Sequence, residues 1–185
     1  MAKPLKTILQ EERFLATIAY DGTDYKGWQI QPKARSVEIT VEERLSRIFK
    51  KAIDVHGSGR TDAGVHSVGQ RFHFDAFWPH PAKHLLNAFN ACEKEGLLLT
   101  DLRRVPANFH CRHSAIGKCY RYEIYLGWPP PWEARYCFGT GKRTLDVTLM
   151  RQAARTLLGV HNFSAFGATH GQGMAYENPV KELRR

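Results

Sequence analysis

The stretch GSGRTDAGVHSVGQ, residues 57–70, puts Arg60 and Asp62 two positions apart on a glycine-rich loop. Such a loop can bend sharply while flanking strands hold its ends. A single carboxylate kept ionised by a neighbouring cation in a cleft is suited to attack an electrophilic carbon or to take a proton. The same residues also suit a polar hairpin in which Asp62 accepts from backbone amides. Residue chemistry alone leaves both readings open. The glycine spacing is not that of a dinucleotide-binding loop, and Gly64 to Gly69 lacks the lysine of a P-loop.

A second concentration of chemistry lies between residues 101 and 121, where Arg103, Arg104, Arg112, Lys118 and Arg121 face a single acid, Asp101, with His110 and His113 among them. Such a run attracts phosphates, or is simply a solvated face. Lys26 and Gln29, beside Trp28, are weaker candidates for nucleic-acid contact, and Trp28 suits a core position equally well. His80 and His84 have the spacing of a helical metal pair, but the HExxH glutamate is missing, so no metal site is expected. Cys92, Cys111, Cys119 and Cys137 form no CxxC pair and read as reduced, partly buried thiols.

These residues need elements to position them. RFLATIAY, residues 13–20, reads as a strand running into the Asp21-Gly22 turn. Thr40 and Glu43 make a capping box, and Val41, Leu45, Ile48 and Phe49 share a helical face. A short run, Ile53 to His56, precedes the Asp62 loop. SVGQRFHFD then places Val68, Gln70, Phe72 and Phe74 on one strand face, with Arg71 and His73 on the other. Pro81 suits a first helical position, Leu85, Leu86 and Phe89 repeat at helical spacing, and Gly96 suits a stop before the strand LLLTDLRR. The order βαββαβ is that of a ferredoxin-like half. KCYRYEIYL, residues 118–126, alternates as a further strand, and Asp146 caps a helix carrying Val147, Met150, Ala154, Leu157 and Leu158, with Gly159 at its end.

The expected class is therefore α+β: a tail over residues 1–11, a ferredoxin-like first half with the Asp62 loop over 12–106, and a partial second half over 107–185, built on antiparallel sheets with a cleft between. Composition agrees. At 185 residues, 43% hydrophobic and 24% charged, the chain has an ordinary globular make-up. Its net charge of +9 favours a polyanionic partner. No apolar run approaches the roughly 18 residues of a membrane span, and the start lacks a signal-peptide core, so a cytoplasmic setting without membrane is expected.

GRTDAGVHSVGQ followed by FHFD closely resembles the signature of the tRNA pseudouridine synthase A family. AYDGTDYKGWQIQP resembles that family's first strand and following loop, NFHCRHSAIGKCYRYEIY its central segment, and HNFSAFGA a stretch further on. The resemblance covers nearly the whole chain, in order. It implies an isomerase, free of cofactor and metal, that acts on uridine in the anticodon stem-loop region of tRNA and works as a homodimer. Asp62 matches the family's catalytic aspartate, Arg60 the arginine beside it, and Tyr120 an active-site tyrosine that would stack on an extruded uracil; Tyr122 suits a sheet core. Arg103, Arg104, Arg112, Lys118 and Arg121 would then bind RNA. NAFNACEKEGLLL lacks the family's usual Leu-Pro step, and Cys119 stands where a basic residue is usual. The chain also stops where the family continues into an apolar, arginine-bearing motif, so a truncated family member is expected. The competing reading is a ferredoxin-like RNA-binding module without catalysis, although GQRFHF lacks the opening of the usual aromatic RNA-binding motif.

Overall fold

A computed structural model describes residues 10–91, 96–166 and 179–184. The chain divides into two units, one up to Tyr120 and one from Arg121.

In the first unit, β1 (Glu12–Tyr20), α1 (Val37–Phe49), β2 (His56–Gly57), β3 (Ser67–Ala76), α2 (Ala82–Ala91) and β4 (Leu97–Val105) follow in the expected order. The sheet runs β2-β3-β1-β4 and every neighbouring pair is antiparallel, the ferredoxin-like arrangement. Alternation on β1 and β3 aims Phe14, Ala16, Ile18, Phe72, Phe74 and Ala76 at the helices, where Val37, Val41, Leu45, Leu85 and Phe89 meet them. The Asn90 side chain holds α2 to β4, donating to the Leu99 carbonyl and accepting from its N–H at 2.9 and 2.8 Å.

Three local expectations change. Helix α1 begins a turn before the Thr40-Glu43 box: Ser36 is the N-cap, its hydroxyl accepting from the Ile39 N–H. Thr40 lies inside the helix and donates back to the Ser36 carbonyl at 2.9 Å, a bond open to threonine in mid-helix. Val68 is 89% exposed, because the β1–β3 register shifts at this end of β3 and leaves it outside the core. His73, on the β3 face opposite Phe72 and Phe74, is nonetheless 1% exposed.

In the second unit, β5 (Ile124–Tyr125) and β6 (Phe138–Gly139) pair in parallel, a departure from the antiparallel pairing expected there. Helix α3 (Val147–Thr156) is capped by Asp146, which accepts from the Leu149 N–H at 2.9 Å. It ends before Gly159, the first residue of β7 (Gly159–Asn162), which pairs antiparallel with β8 (Val180–Leu183). The strand expected over residues 118–126 is reduced to Ile124–Tyr125. Alternation sets which way side chains point, but a strand also needs a neighbour for its backbone groups; among the described residues 118–122 pair with no strand, and Glu123 has one bond, accepting from the Phe138 N–H at 2.8 Å. Tyr122, expected in a sheet core, is 90% exposed. No helix among the described residues is long and apolar enough to cross a membrane.

Candidate active site

The loop between β2 and β3 is fixed chiefly by bonds to its backbone. Ser58 N–H donates to the Arg71 carbonyl at 2.8 Å, and the Gln70 side-chain amide donates to the Gly59 carbonyl at 2.6 Å. Beyond Arg60 the loop is gripped by the turn that follows β1. Trp28 N–H donates to the Thr61 carbonyl at 3.0 Å and Gly64 N–H to the Tyr25 carbonyl at 3.1 Å. The Tyr20 hydroxyl lies 2.9 Å from Thr61 Oγ1, and burial holds that phenol above its usual pKa, so it keeps its proton. Gly22 N–H donates to His66 Nδ1 at 3.1 Å, which is equally close to an Asp21 carboxylate oxygen.

Two glycines make this grip possible. A Cβ on Gly22 would run into the Val65 carbonyl, and one on Gly27, at φ +87°, would stand 2.5 Å from the Thr61 carbonyl oxygen. Backbone lies directly on backbone here, where no side chain fits. The Asp21-Gly22 pair therefore does more than end a strand, since it belongs to the clamp on the Asp62 loop.

Asp62 occupies the turn itself, closed by Val65 N–H donating to its carbonyl at 3.2 Å. The carboxylate is exposed, and among the described residues it forms no hydrogen bond or ion pair. The hairpin reading, with the carboxylate accepting from backbone amides, is therefore not what the geometry gives. Beside the loop is a cavity of about 450 Å³ walled by Ser58, Gly59, Arg60, Arg112, Gly117 and Lys118. The Lys118 ammonium crosses buried Gly59, lying 2.8 Å from where a Cβ would sit. A smaller cavity of about 180 Å³ shares Gly59, Arg60 and Arg112 with it. Trp28, 2% exposed, is a core residue whose indole N–H donates to Glu38 at 3.2 Å, and Gln29 lines the smaller cavity.

The structure brings Arg60, Arg112 and Lys118 together. Tyr120 is 80% exposed, two residues beyond Lys118 at the end of the first unit. Arg121 opens the second unit and pairs with Glu123 at 3.4 Å. Arg103 and Arg104 lie elsewhere, on β4, the sheet edge opposite β2. Arg104 is engaged within the fold: it donates to Glu12 and to the Trp78 and His80 carbonyls, and lies 5.1 Å from the centre of the Phe14 ring. Arg103 is exposed, opposite Leu15 in register.

Residue-by-residue reading passed over a histidine group behind the smaller cavity. His73 stacks on His56 at 4.9 Å and meets His110 at 4.7 Å, and His110 meets His113 at 4.4 Å. Cys111, buried and free, donates its S–H to the His56 carbonyl and lies 3.2 Å from His73 Nδ1; burial raises its thiol pKa. Burial also pushes His73 down to about 4. The only sequence signal for this group was the density of histidine around the basic run.

The family model described as tRNA pseudouridine synthase matches residues 16–114, a span that includes the clamp, the Asp62 loop and Arg112. The chain is 40% identical over 162 residues to tRNA pseudouridine synthase A of Latilactobacillus sakei, covering 86% of this chain and 65% of that protein. It is 43% identical over 176 residues to the Lactobacillus delbrueckii protein of the same name, covering 92% and 65%, and 36% identical over 176 residues to that of Maridesulfovibrio salexigens, covering 94% and 64%. The chain thus spans about 65% of the length of these relatives. With the match running through the whole of the clamped loop and on to Arg112, the chain belongs to the tRNA pseudouridine synthase family.

Proposed function

We propose that the chain isomerises uridine to pseudouridine in the anticodon stem-loop region of tRNA, with Asp62 as the catalytic residue. The observation that carries this is the Asp62 loop itself: a carboxylate left without a protein partner among the described residues, on a backbone locked by the Gly22–Trp28 turn, beside a cavity walled by Arg60, Arg112 and Lys118. Locking the backbone while leaving the carboxylate unspent is the preorganisation a reacting group needs. The cations suit RNA phosphates.

In the reaction the bond from uracil N1 to ribose C1′ breaks, the base turns, and C5 joins C1′. The proton leaving C5 is matched by one gained at N1, so nothing is consumed. A carboxylate can begin this by attacking C1′ or by removing a ribose proton, and both routes use Asp62. Arg60 would hold a phosphate or fill the space of the extruded base, and the Tyr120 ring would stack on the uracil. Arg103, Arg112, Lys118 and Arg121 would contact the RNA, with Arg104 supporting β4. The same reading takes tRNA as a cytoplasmic partner and pairs two copies of the chain.

The test is Asp62→Asn in the 185-residue chain, measured as pseudouridine formed on unmodified tRNA. Turnover should vanish while tRNA affinity holds or improves slightly, because the lost charge repels phosphate. Turnover within about tenfold of the unsubstituted chain, ~1.4 kcal/mol of barrier, would overturn the assignment.

A further inference from the structure

We propose that the smaller cavity, where His56 and His110 stand beside Arg60 and Arg112, is a binding site for one phosphate group, filled together with protons taken up by these histidines. The cavity's volume, about 180 Å³, is below the roughly 300 Å³ at which pockets for whole small molecules begin, and suits a single tetrahedral anion with some of its water. Its permanent charges are Arg60 and Arg112 against Glu38. Both Glu38 oxygens are engaged, one by the Trp28 indole N–H at 3.2 Å and one by the Ile30 N–H at 3.1 Å, which blunts its repulsion of an anion.

The histidines add charge that depends on occupancy. The surrounding groups are Arg13 from β1, paired with Asp75 of β3; His73 from β3; Glu38 and Glu42 from α1; Asp54 beside β2; and Cys111, Arg112 and His113 from the segment after β4. Buried His73 stays neutral to about pH 4, so it packs as an uncharged ring against both His56 and His110, whose own ring centres lie 6.1 Å apart. His110 is held below its ordinary value by desolvation, then by the positive charges of His113, His56, Arg13 and Arg112. An anion in the cavity offsets those repulsions and raises proton affinity, and by linkage protonation raises anion affinity by the same factor. The His56 and His73 rings are stacked 30° from parallel, and among the described residues no group of His, Cys, Asp or Glu is arranged to hold a metal ion. The chemistry is that of an anion site.

That the anion is an RNA phosphodiester rests on the proposed tRNA substrate; the proton link does not. Sulfate, a dianion throughout pH 5.5–7.5, is the probe, titrated calorimetrically into the 185-residue chain in buffers of different ionisation enthalpy. Affinity at pH 5.5 should exceed that at pH 7.5 by about tenfold, with net proton uptake on binding. The pair His56→Gln with His110→Gln should bring the two affinities within about twofold of each other. Each single variant should lose part of the gain, and His84→Gln on α2 should keep it. A sulfate affinity independent of pH, or a gain that survives in the double variant, would overturn the site. An RNA stem-loop titrated in parallel should show the same link; a link for sulfate alone would make this a free-anion site and overturn the phosphodiester assignment. Failure of the stem-loop to bind at either pH, with sulfate still linked, would count against the tRNA reading instead.

Discussion

At the scale of single residues, the fold supplies a fixed backbone and leaves the side chains that could react uncommitted. Asp62 and Arg60 were legible because both lie within one short motif, so sequence spacing is already spatial spacing. Tyr122 was not: its alternation with Tyr120 and Ile124 suggested burial, and it is 90% exposed. Burial depends on what covers a face, which local pattern does not encode. Tyr120 carries a sharper expectation, since it lies two residues from the lysine that crosses Gly59. If its ring stacks on an extruded base, Tyr120→Phe should bind tRNA nearly as well as the original, whereas Tyr120→Ala should lose roughly 1–3 kcal/mol. Binding measured at fixed salt checks this, and equal affinities for the two variants would remove the ring from the contact surface. A loss of turnover in Tyr120→Phe with its tRNA binding intact would assign a role to the hydroxyl.

At the scale of elements, the βαββαβ order could be read from periodicity because β1, β3, β4 and both helices of the first unit each bury one face. The clamp could not be read, because it joins the turn after β1 to the loop before β3 through backbone bonds, and main-chain pairing leaves little trace in side-chain pattern. Two substitutions separate these levels. Ser36→Ala removes the cap of α1 and should lower unfolding free energy by about 1 kcal/mol with turnover little changed. Gly22→Ala would drive a methyl group into the Val65 carbonyl, which cannot move without displacing the Asp62 turn. It should cost more than about 2 kcal/mol of stability or, where the loop yields, lower turnover far more than tRNA affinity. Denaturant unfolding alongside kinetics distinguishes the two substitutions. A Gly22→Ala chain with ordinary stability and ordinary turnover would show that the loop is not held from this turn.

At the scale of the whole molecule, charge and protonation set the conditions under which the chain works. The net charge of +9 announced a polyanion, but composition could not say which cations cooperate. The fold gathers Arg60, Arg112 and Lys118 and leaves Arg104 bracing β4, so Arg112→Ala with Lys118→Ala should flatten the salt dependence of tRNA binding more than Arg103→Ala does. Protonation acts on the fold through His73. Its pKa in the folded chain is about 4 against roughly 6.5 unfolded, so between those values the unfolded chain holds more protons and stability falls as the pH falls. From pH 7.5 to 5 this amounts to about 2 kcal/mol, and the depressed value of His110 acts in the same direction. Asp75, held low by Arg13, adds its loss at more acidic pH, so the window above pH 5 belongs mainly to histidine. His73→Gln should be less stable at pH 7.5, where it disturbs the Cys111 contact, and should show a shallower decline toward pH 5. Urea unfolding at half-unit pH steps measures both. An unsubstituted chain whose stability is flat from pH 7.5 to 5 would mean that His73 takes up its proton without cost, through an opening of the Cys111 segment that covers it.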